Sequence, residues 1–306
     1  MKYKSLFNVI FIAFALLVIG ASYRHNEMVQ SNEKEKLDQL ASNENAEIVT
    51  AMNNNTNEES GIGIIPGSSN SLENNTDNMP EYAKKYPDMY VTSAIADNLE
   101  DGKKIAYLTF DDGPSYVTKE ILDTLDQNDI KATFFILGST MTEEGEEYLK
   151  RMVEEGHAVG IHTFSHRNNI YDSVDSYLDD FYKAFEQIYD ITGVKPTIFR
   201  FPYGSINSYN KKIKYELISE MERRGFTYYD WNVCANDSIG NPTEHSILSN
   251  VLKGLKKYCK PVILLHDASI NEKTAKILPR IIDKIKEAGF EFDTVDKRTP
   301  CQFFYK

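Results

Sequence analysis

Cysteine is scarce in this chain of 306 residues. Only Cys234, Cys259 and Cys301 occur, and an odd number leaves at least one thiol unpaired within a single chain, so no disulfide framework organises the fold. Cys259 with Cys301 is a possible bridge that spacing alone does not decide. A basic excess is also missing: 34 Lys and Arg stand against 46 Asp and Glu, for a net charge of −12. Residues 22–98 hold 13 acidic and 5 basic side chains, which leaves −6 on residues 99–306. A domain without a basic stripe has no footprint for nucleic acid, and a neutral or cationic partner is expected. Residues 22–98 show no obvious repeat or separate carbohydrate-binding module.

What is present is unevenly distributed. Lys2 and Lys4 precede an apolar run, Leu6 to Ala21, that is interrupted only by Asn8 and followed by Arg24. This is the pattern of an export signal, although about sixteen residues are slightly short for a membrane span. A cleaved signal and an uncleaved anchor both fit. The anchor is favoured, because the flanks can lengthen the segment and no Ala-x-Ala site follows. The lysines would stay in the cytoplasm, placing the remainder outside, either anchored at the cell surface or secreted. Residues 22–98, with Asn-Asn-Asn-Thr-Asn-Glu-Glu-Ser at 53–60 and Glu-Asn-Asn-Thr-Asp-Asn at 73–78, offer too few apolar side chains to offset the entropy of ordering. They read as a low-complexity extracytoplasmic linker between residues 1–21 and a catalytic domain at 99–306.

From Ile105 the pattern alternates. Short β-rich runs at 105–110, 132–136, 157–162, 197–201, 227–233, 261–266 and 290–295 are separated by helical stretches near 116–127, 144–155, 173–192, 210–224, 245–258 and 274–288. Three helices run into glycine before the next strand, at Gly156, Gly225 and Gly289, as a left-handed helix end requires. Seven βα units predict an α/β fold, a parallel (β/α)7 barrel of the TIM-barrel type but smaller than the usual eight-unit form.

Polar residues gather at the carboxyl ends of those strands, where barrel loops converge. Asp111 and Asp112 follow the first strand, His162 and His166 the third, Arg200 lies late in the fourth, Asp237 follows the fifth and His266 closes the sixth. Two adjacent carboxylates and two imidazoles can supply a general base and three ligands for a divalent metal. Each motif also has a plainer reading: Asp-Asp-Gly-Pro as a turn, His-x-x-x-His as a locally hydrogen-bonded pair, Arg200-Phe201-Pro202-Tyr203 as a strand end and His266 as a core histidine. Their order and placement on the strands argue against four coincidences.

Thr-Phe-Asp-Asp-Gly-Pro (109–114), His-Thr-Phe-Ser-His (162–166), Arg-Phe-Pro-Tyr-Gly (200–204) and Leu-Leu-His-Asp (264–267) resemble, in this order, the motifs of the polysaccharide deacetylases of carbohydrate esterase family 4, the NodB homology domain. The resemblance spans about residues 103–296. It implies a distorted barrel and metal-dependent removal of N-acetyl groups from an amino-sugar polymer. It also implies that Asp112, His162 and His166 bind the metal, Zn²⁺ or alternatively Co²⁺ or Mn²⁺, which activates water and polarises the acetyl carbonyl. Asp111 is then the general base, paired with Arg200; the backbone N–H of Tyr203 stabilises the oxyanion; His266 protonates the leaving amine, its pKa raised by Asp237 or, as a rival, Asp230. Leu264 would line the slot for the acetyl methyl, and Trp231 would touch substrate. No serine or cysteine nucleophile is needed, and Cys234 is not required as a ligand. One departure is visible: Ser238 stands where the family often has tryptophan, which puts the apolar wall beside His266 in doubt. The resemblance does not identify the polymer; an export signal, a stalk and a single catalytic domain suit a polymer close to the membrane, so peptidoglycan N-acetylglucosamine is the expected substrate, with poly-N-acetylglucosamine, chitin-like or N-acetylmuramic polymers as alternatives. A glycan-binding protein with reduced catalysis is the alternative of a different class.

Overall fold

A computed structural model describes residues 79–93 and 102–303. The expected signal or anchor and most of the expected linker lie outside the described residues. Among the described residues, no helix is long and apolar enough to cross a membrane.

The fold is a curled parallel sheet with helices on its outer face. The strands are β1 (Ile105–Asp111), β2 (Thr133–Ile136), β3 (Ala158–Ile161), β4 (Ile198–Phe199), β5 (Thr227–Tyr228), β6 (Val233–Cys234), β7 (Val262–His266) and β8 (Glu291–Phe292). Their order is β5-β4-β3-β2-β1-β7-β6, with β8 beside the start of β1. The helices are α1 (Tyr116–Gln127), α2 (Glu143–Glu154), α3 (Val174–Thr192), α4 (Lys214–Arg223), α5 (Glu244–Leu255) and α6 (Glu272–Glu287). Ser115, Thr142, Ser173 and Thr243 cap four of them by accepting a backbone N–H of the first turn.

The period of two along each strand divides the core and aims the site. Leu108 and Phe110 of β1 pack outward with Ile263 and Leu265 of β7 beneath the helices. Tyr107 and Val262 point into the barrel and join Phe135, Ile198, Tyr229 and Val295 in a second cluster. The same alternation sends Thr109 and Asp111 inward above Tyr107, and Leu264 and His266 inward above Val262. The register then sets Asp111 directly beside His266. Asp111 and His266 are neighbours because of strand pairing, although they are far apart in sequence.

The run expected as a single strand over 227–233 is broken. Its start, β5, pairs with β4, and its end, β6, pairs with β7, so one segment carries both edges of the sheet. Between them, the carbonyls of Tyr229 and Asp230 accept hydrogen bonds from the Arg200 guanidinium at 2.8 and 3.0 Å. A side chain therefore spans the seam of the barrel, which is the distortion.

The expected linker is too long at its carboxyl end. Residues 79–93 belong to the folded domain: Met89 is fully buried, and Arg224 donates to the carbonyls of Tyr82, Lys85 and Tyr86. Lys85 pairs with Asp175 and Asp179 on α3, and Tyr86 stacks on Tyr182 at 3.9 Å. Gly225, with φ +86°, passes so close to this segment that a Cβ would lie 1.9 Å from the Val91 carbonyl oxygen. Tyr82, Ala83, Tyr86, Met89 and Val91 supply the apolar surface with which this segment packs on the domain. All three cysteines are free, so the possible Cys259–Cys301 bridge is not made.

Candidate active site

At the end of β1 the chain turns sharply. Asp112 is left-handed, with φ +72°, and Gly113 follows in a space that admits no side chain, since a Cβ there would meet the Asp267 carboxylate at 2.0 Å. Asp111 and Asp112 thus diverge. Asp111 points inward and accepts a hydrogen bond from Arg200 Nη1 at 2.8 Å, whereas Asp112 faces two imidazoles. Asp112 Oδ1 is buried, has no hydrogen-bond partner, and lies 3.6 Å from Nε2 of both His162 and His166.

These three residues are held in place by their neighbours. His162 Nδ1 is 2.9 Å from the Arg200 carbonyl oxygen, so a proton on Nδ1 leaves the Nε2 lone pair facing Asp112. Burial holds the His162 pKa below its ordinary value, against the opposing charge of Asp111, which favours the neutral ligand form. In the loop to His166, Asp180 of α3 accepts the N–H groups of Phe164 and Ser165 at 2.8 and 3.0 Å. The ligand atoms of Asp112, His162 and His166 all lie within 4.8 Å of one another. A lone carboxylate oxygen facing two imidazole nitrogens is a donor set that fits a divalent metal.

Arg200 is fully buried and uses its whole fork: Nη1 reaches Thr109 Oγ1 and Asp111, each at 2.8 Å, while Nε and Nη2 hold the seam carbonyls. Its guanidinium stacks over Phe135, 4.2 Å from the ring centroid. Beyond it, the chain turns at Tyr203, with φ +66°. The half-exposed Tyr203 ring packs on His166 and on Tyr209, with centroids 4.8 and 5.2 Å apart.

On the opposite side, Asp237 Oδ1 is 2.8 Å from His266 Nδ1, and Oδ2 accepts the His266 N–H and the Thr274 hydroxyl, also at 2.8 Å. Burial alone would lower the His266 pKa, but the hydrogen bond and charge of Asp237, aided by Asp111 and Asp112, raise it to about 9. Asp237 and not Asp230 is therefore the partner of His266. Asp267, next in sequence, is pushed up to about 7 by burial, with the charges of Asp112 and Asp111 adding to the effect; Thr118 donates to it at 2.7 Å.

Leu264 is buried in the inner row below His266. Trp231 lies in a supporting place, its ring against Phe303 at 5.0 Å and 3.2 Å from where a Gly204 Cβ would stand. Cys234 lies outside the Asp112–His162–His166 group, and Ser238 is exposed, with its hydroxyl accepting from Asn271. Sequence reasoning missed Asp180 and Asp267. Asp267 lies inside the Leu-Leu-His-Asp motif and could have been found there, whereas nothing local marks Asp180. Of the seven described non-glycine residues with positive φ, Asp112, Thr163, His166, Tyr203 and Asn236 stand at this mouth, and such clustering of strained backbone is typical of functional sites.

Comparison with known proteins agrees with this geometry. Residues 98–222 match the family model described as polysaccharide deacetylase. The Bacillus subtilis protein YheN is 38% identical over 202 residues, covering 64% of this chain and 68% of YheN. A peptidoglycan-N-acetylglucosamine deacetylase of Bacillus cereus is 34% identical over 210 residues, covering 66% of this chain and 74% of that protein. The crystal structure of the catalytic domain of peptidoglycan N-acetylglucosamine deacetylase from Eubacterium rectale superposes with a TM-score of 0.64 at 33% identity, covering 70% of this chain and 98% of that one. With its curled parallel sheet and the four motifs converging at one mouth, this chain belongs to the polysaccharide deacetylase family.

Proposed function

We propose that this protein removes acetyl groups from N-acetylglucosamine residues of peptidoglycan, a hydrolysis of a non-peptide carbon–nitrogen bond. The observation that carries the reading is the meeting, at one barrel mouth, of the Asp111–Arg200 pair, the Asp112–His162–His166 group and the Asp237–His266 pair. The B. cereus and E. rectale proteins named above, both peptidoglycan N-acetylglucosamine deacetylases, support the choice of polymer.

Asp112, His162 and His166 would hold the metal, with Zn²⁺ the best match to one carboxylate and two imidazoles. A divalent metal bound there supplies Lewis-acid polarisation of the acetamide carbonyl and lowers the pKa of water. Asp111 accepts the proton of the attacking water, held in position by Arg200. The Tyr203 N–H donates to the developing oxyanion, a contribution of about 3–4 kcal/mol for a well-aimed donor. His266, charged at neutral pH because of Asp237, hands its proton to the departing amine nitrogen. Leu264 forms the apolar floor for the acetyl methyl.

The experiment is acetate release from purified peptidoglycan and from N-acetylglucosamine oligomers, with chelator, restored Zn²⁺ and Asp111→Asn as controls. Release that ignores chelator, or full activity of Asp111→Asn, refutes the mechanism. Release from the oligomers but not from peptidoglycan moves the substrate to a free amino-sugar polymer. The protein works outside the cytoplasmic membrane, held there by residues 1–21; a shortened protein found only in the medium would argue against that attachment.

A further inference from the structure

Asp230 is the carboxylate that the His266 pairing leaves over. It is fully buried and makes bonds of its own. Oδ1 accepts the Ser205 N–H at 2.8 Å, and Oδ2 accepts the Ser205 hydroxyl at 2.6 Å and the Phe303 N–H at 2.8 Å. Its main chain is engaged as well, the carbonyl by Arg200 Nη2 at 3.0 Å and the N–H by the Cys301 carbonyl at 2.6 Å. One residue at the barrel seam thus meets the turn after β4, the guanidinium that holds Asp111, and the C-terminal segment.

The turn needs such a tie. Tyr203 and Gly204 are both left-handed, with φ +66° and +83°, and a non-glycine residue in that region persists only where its surroundings impose it. Asn207 and Asn210 hold the turn from its own side, through the Gly204 and Ser205 carbonyls at 2.9 and 2.8 Å. Asp230 ties it to the segment that joins β5 to β6. A carboxylate that collects three donors in a site closed to water is a strong anchor.

We infer that Asp230 is a positioning residue for the proposed deacetylation: it fixes both the turn that presents the Tyr203 N–H and the guanidinium that orients Asp111, and it brings the C-terminal segment at Cys301 and Phe303 into the working structure of the site. This rests on the deacetylase reading above. Asp230 touches no residue of the Asp112–His162–His166 group through any of these bonds, so metal affinity and turnover should separate.

The test uses the full chain loaded with Zn²⁺, acting on N-acetylglucosamine oligomers. Asp230→Asn should lower kcat by about 10-fold or more, while KM and the Zn²⁺ affinity read by chelator competition stay within about threefold of wild type. Phe303→Pro, which removes the N–H donor, should fall below Phe303→Ala, which keeps the donor and loses only the ring. Should Asp230→Asn not fold, the Phe303 pair decides. Asp230→Asn turnover within about twofold of wild type, equal kcat for the two Phe303 variants, or a loss that merely follows the folded, metal-loaded fraction overturns the inference. A wild type that releases no acetate overturns the deacetylase reading and this inference together; an active wild type with an unaffected Asp230→Asn overturns only the latter.

Discussion

Arg200 Nη1 lies 2.8 Å from Asp111 Oδ1, with the arginine fully buried and the aspartate only 3% exposed. The guanidinium also binds Thr109 and two seam carbonyls, so an ammonium on a flexible stem cannot replace its planar fork. Arg200→Lys should reduce acetate release by about 10²-fold through misplacement of Asp111. Arg200→Ala leaves a buried carboxylate without its partner and should cost about 3–5 kcal/mol of stability in urea unfolding.

The Asp237–His266 pair predicts a pH dependence with a definite sign. Asp237 raises His266 to about 9, so the acid form needed for amine departure persists until pH rises through that value. Asp237→Asn removes the charge, lowers the His266 pKa and should move the basic limb of kcat/KM to lower pH, by about one or two pH units. The pair also stabilises the fold: the contribution is fully present below about pH 6.5 and disappears as pH rises through about 9. Unfolding curves of wild type and Asp237→Asn should therefore converge at high pH. An unmoved basic limb would remove His266 from the role of acid.

The strands that carry the site were the easiest to read, because β1 and β7 are buried on both faces and form runs, apolar but for Thr109, that end in Asp111 and His266. The break at 229–232 left no such trace. A guanidinium from a different strand spans the seam there, and apolar periodicity does not register a side chain that hydrogen-bonds distant carbonyls. The choice between Asp230 and Asp237 was open for the same reason, since both follow β5 and only the folded register brings Asp237 to His266. Asp180 could not be found at all, as it serves the His162–His166 loop from the middle of an amphipathic helix where a solvated acid is expected. Residues 79–93 were hidden by composition, their apolar side chains averaged away among the asparagine and glutamate of the residues before them.

Metal binding should be measurable without turnover. Asp112 Oδ1 is buried and unpartnered, so a cation that satisfies it binds the folded state in preference to the unfolded chain. Zn²⁺ at about 100 times its dissociation constant should stabilise the protein by about 2.7 kcal/mol, read as a rise in Tm. Asp112→Ala should abolish that rise while leaving the metal-free Tm nearly unchanged. An equal rise in Asp112→Ala would place the cation elsewhere.

The segment 79–93 gives the last prediction, about where the folded domain begins. Met89 is wholly enclosed, and Arg224 is held between Glu220 and three carbonyls of that segment. Met89→Ala should cost about 2–5 kcal/mol. A chain starting at residue 99 should lose more, because the Arg224 guanidinium would then lack its carbonyl partners. The contacts fall on α3, α4 and the Gly225 turn, away from Asp112, His162 and His166, so turnover per folded molecule should be unaltered at low temperature. Stability and kcat are thus expected to part company, with the melting curve shifted and the activity of the folded fraction unchanged. A shortened chain as stable as the full one would assign residues 79–93 to the linker after all.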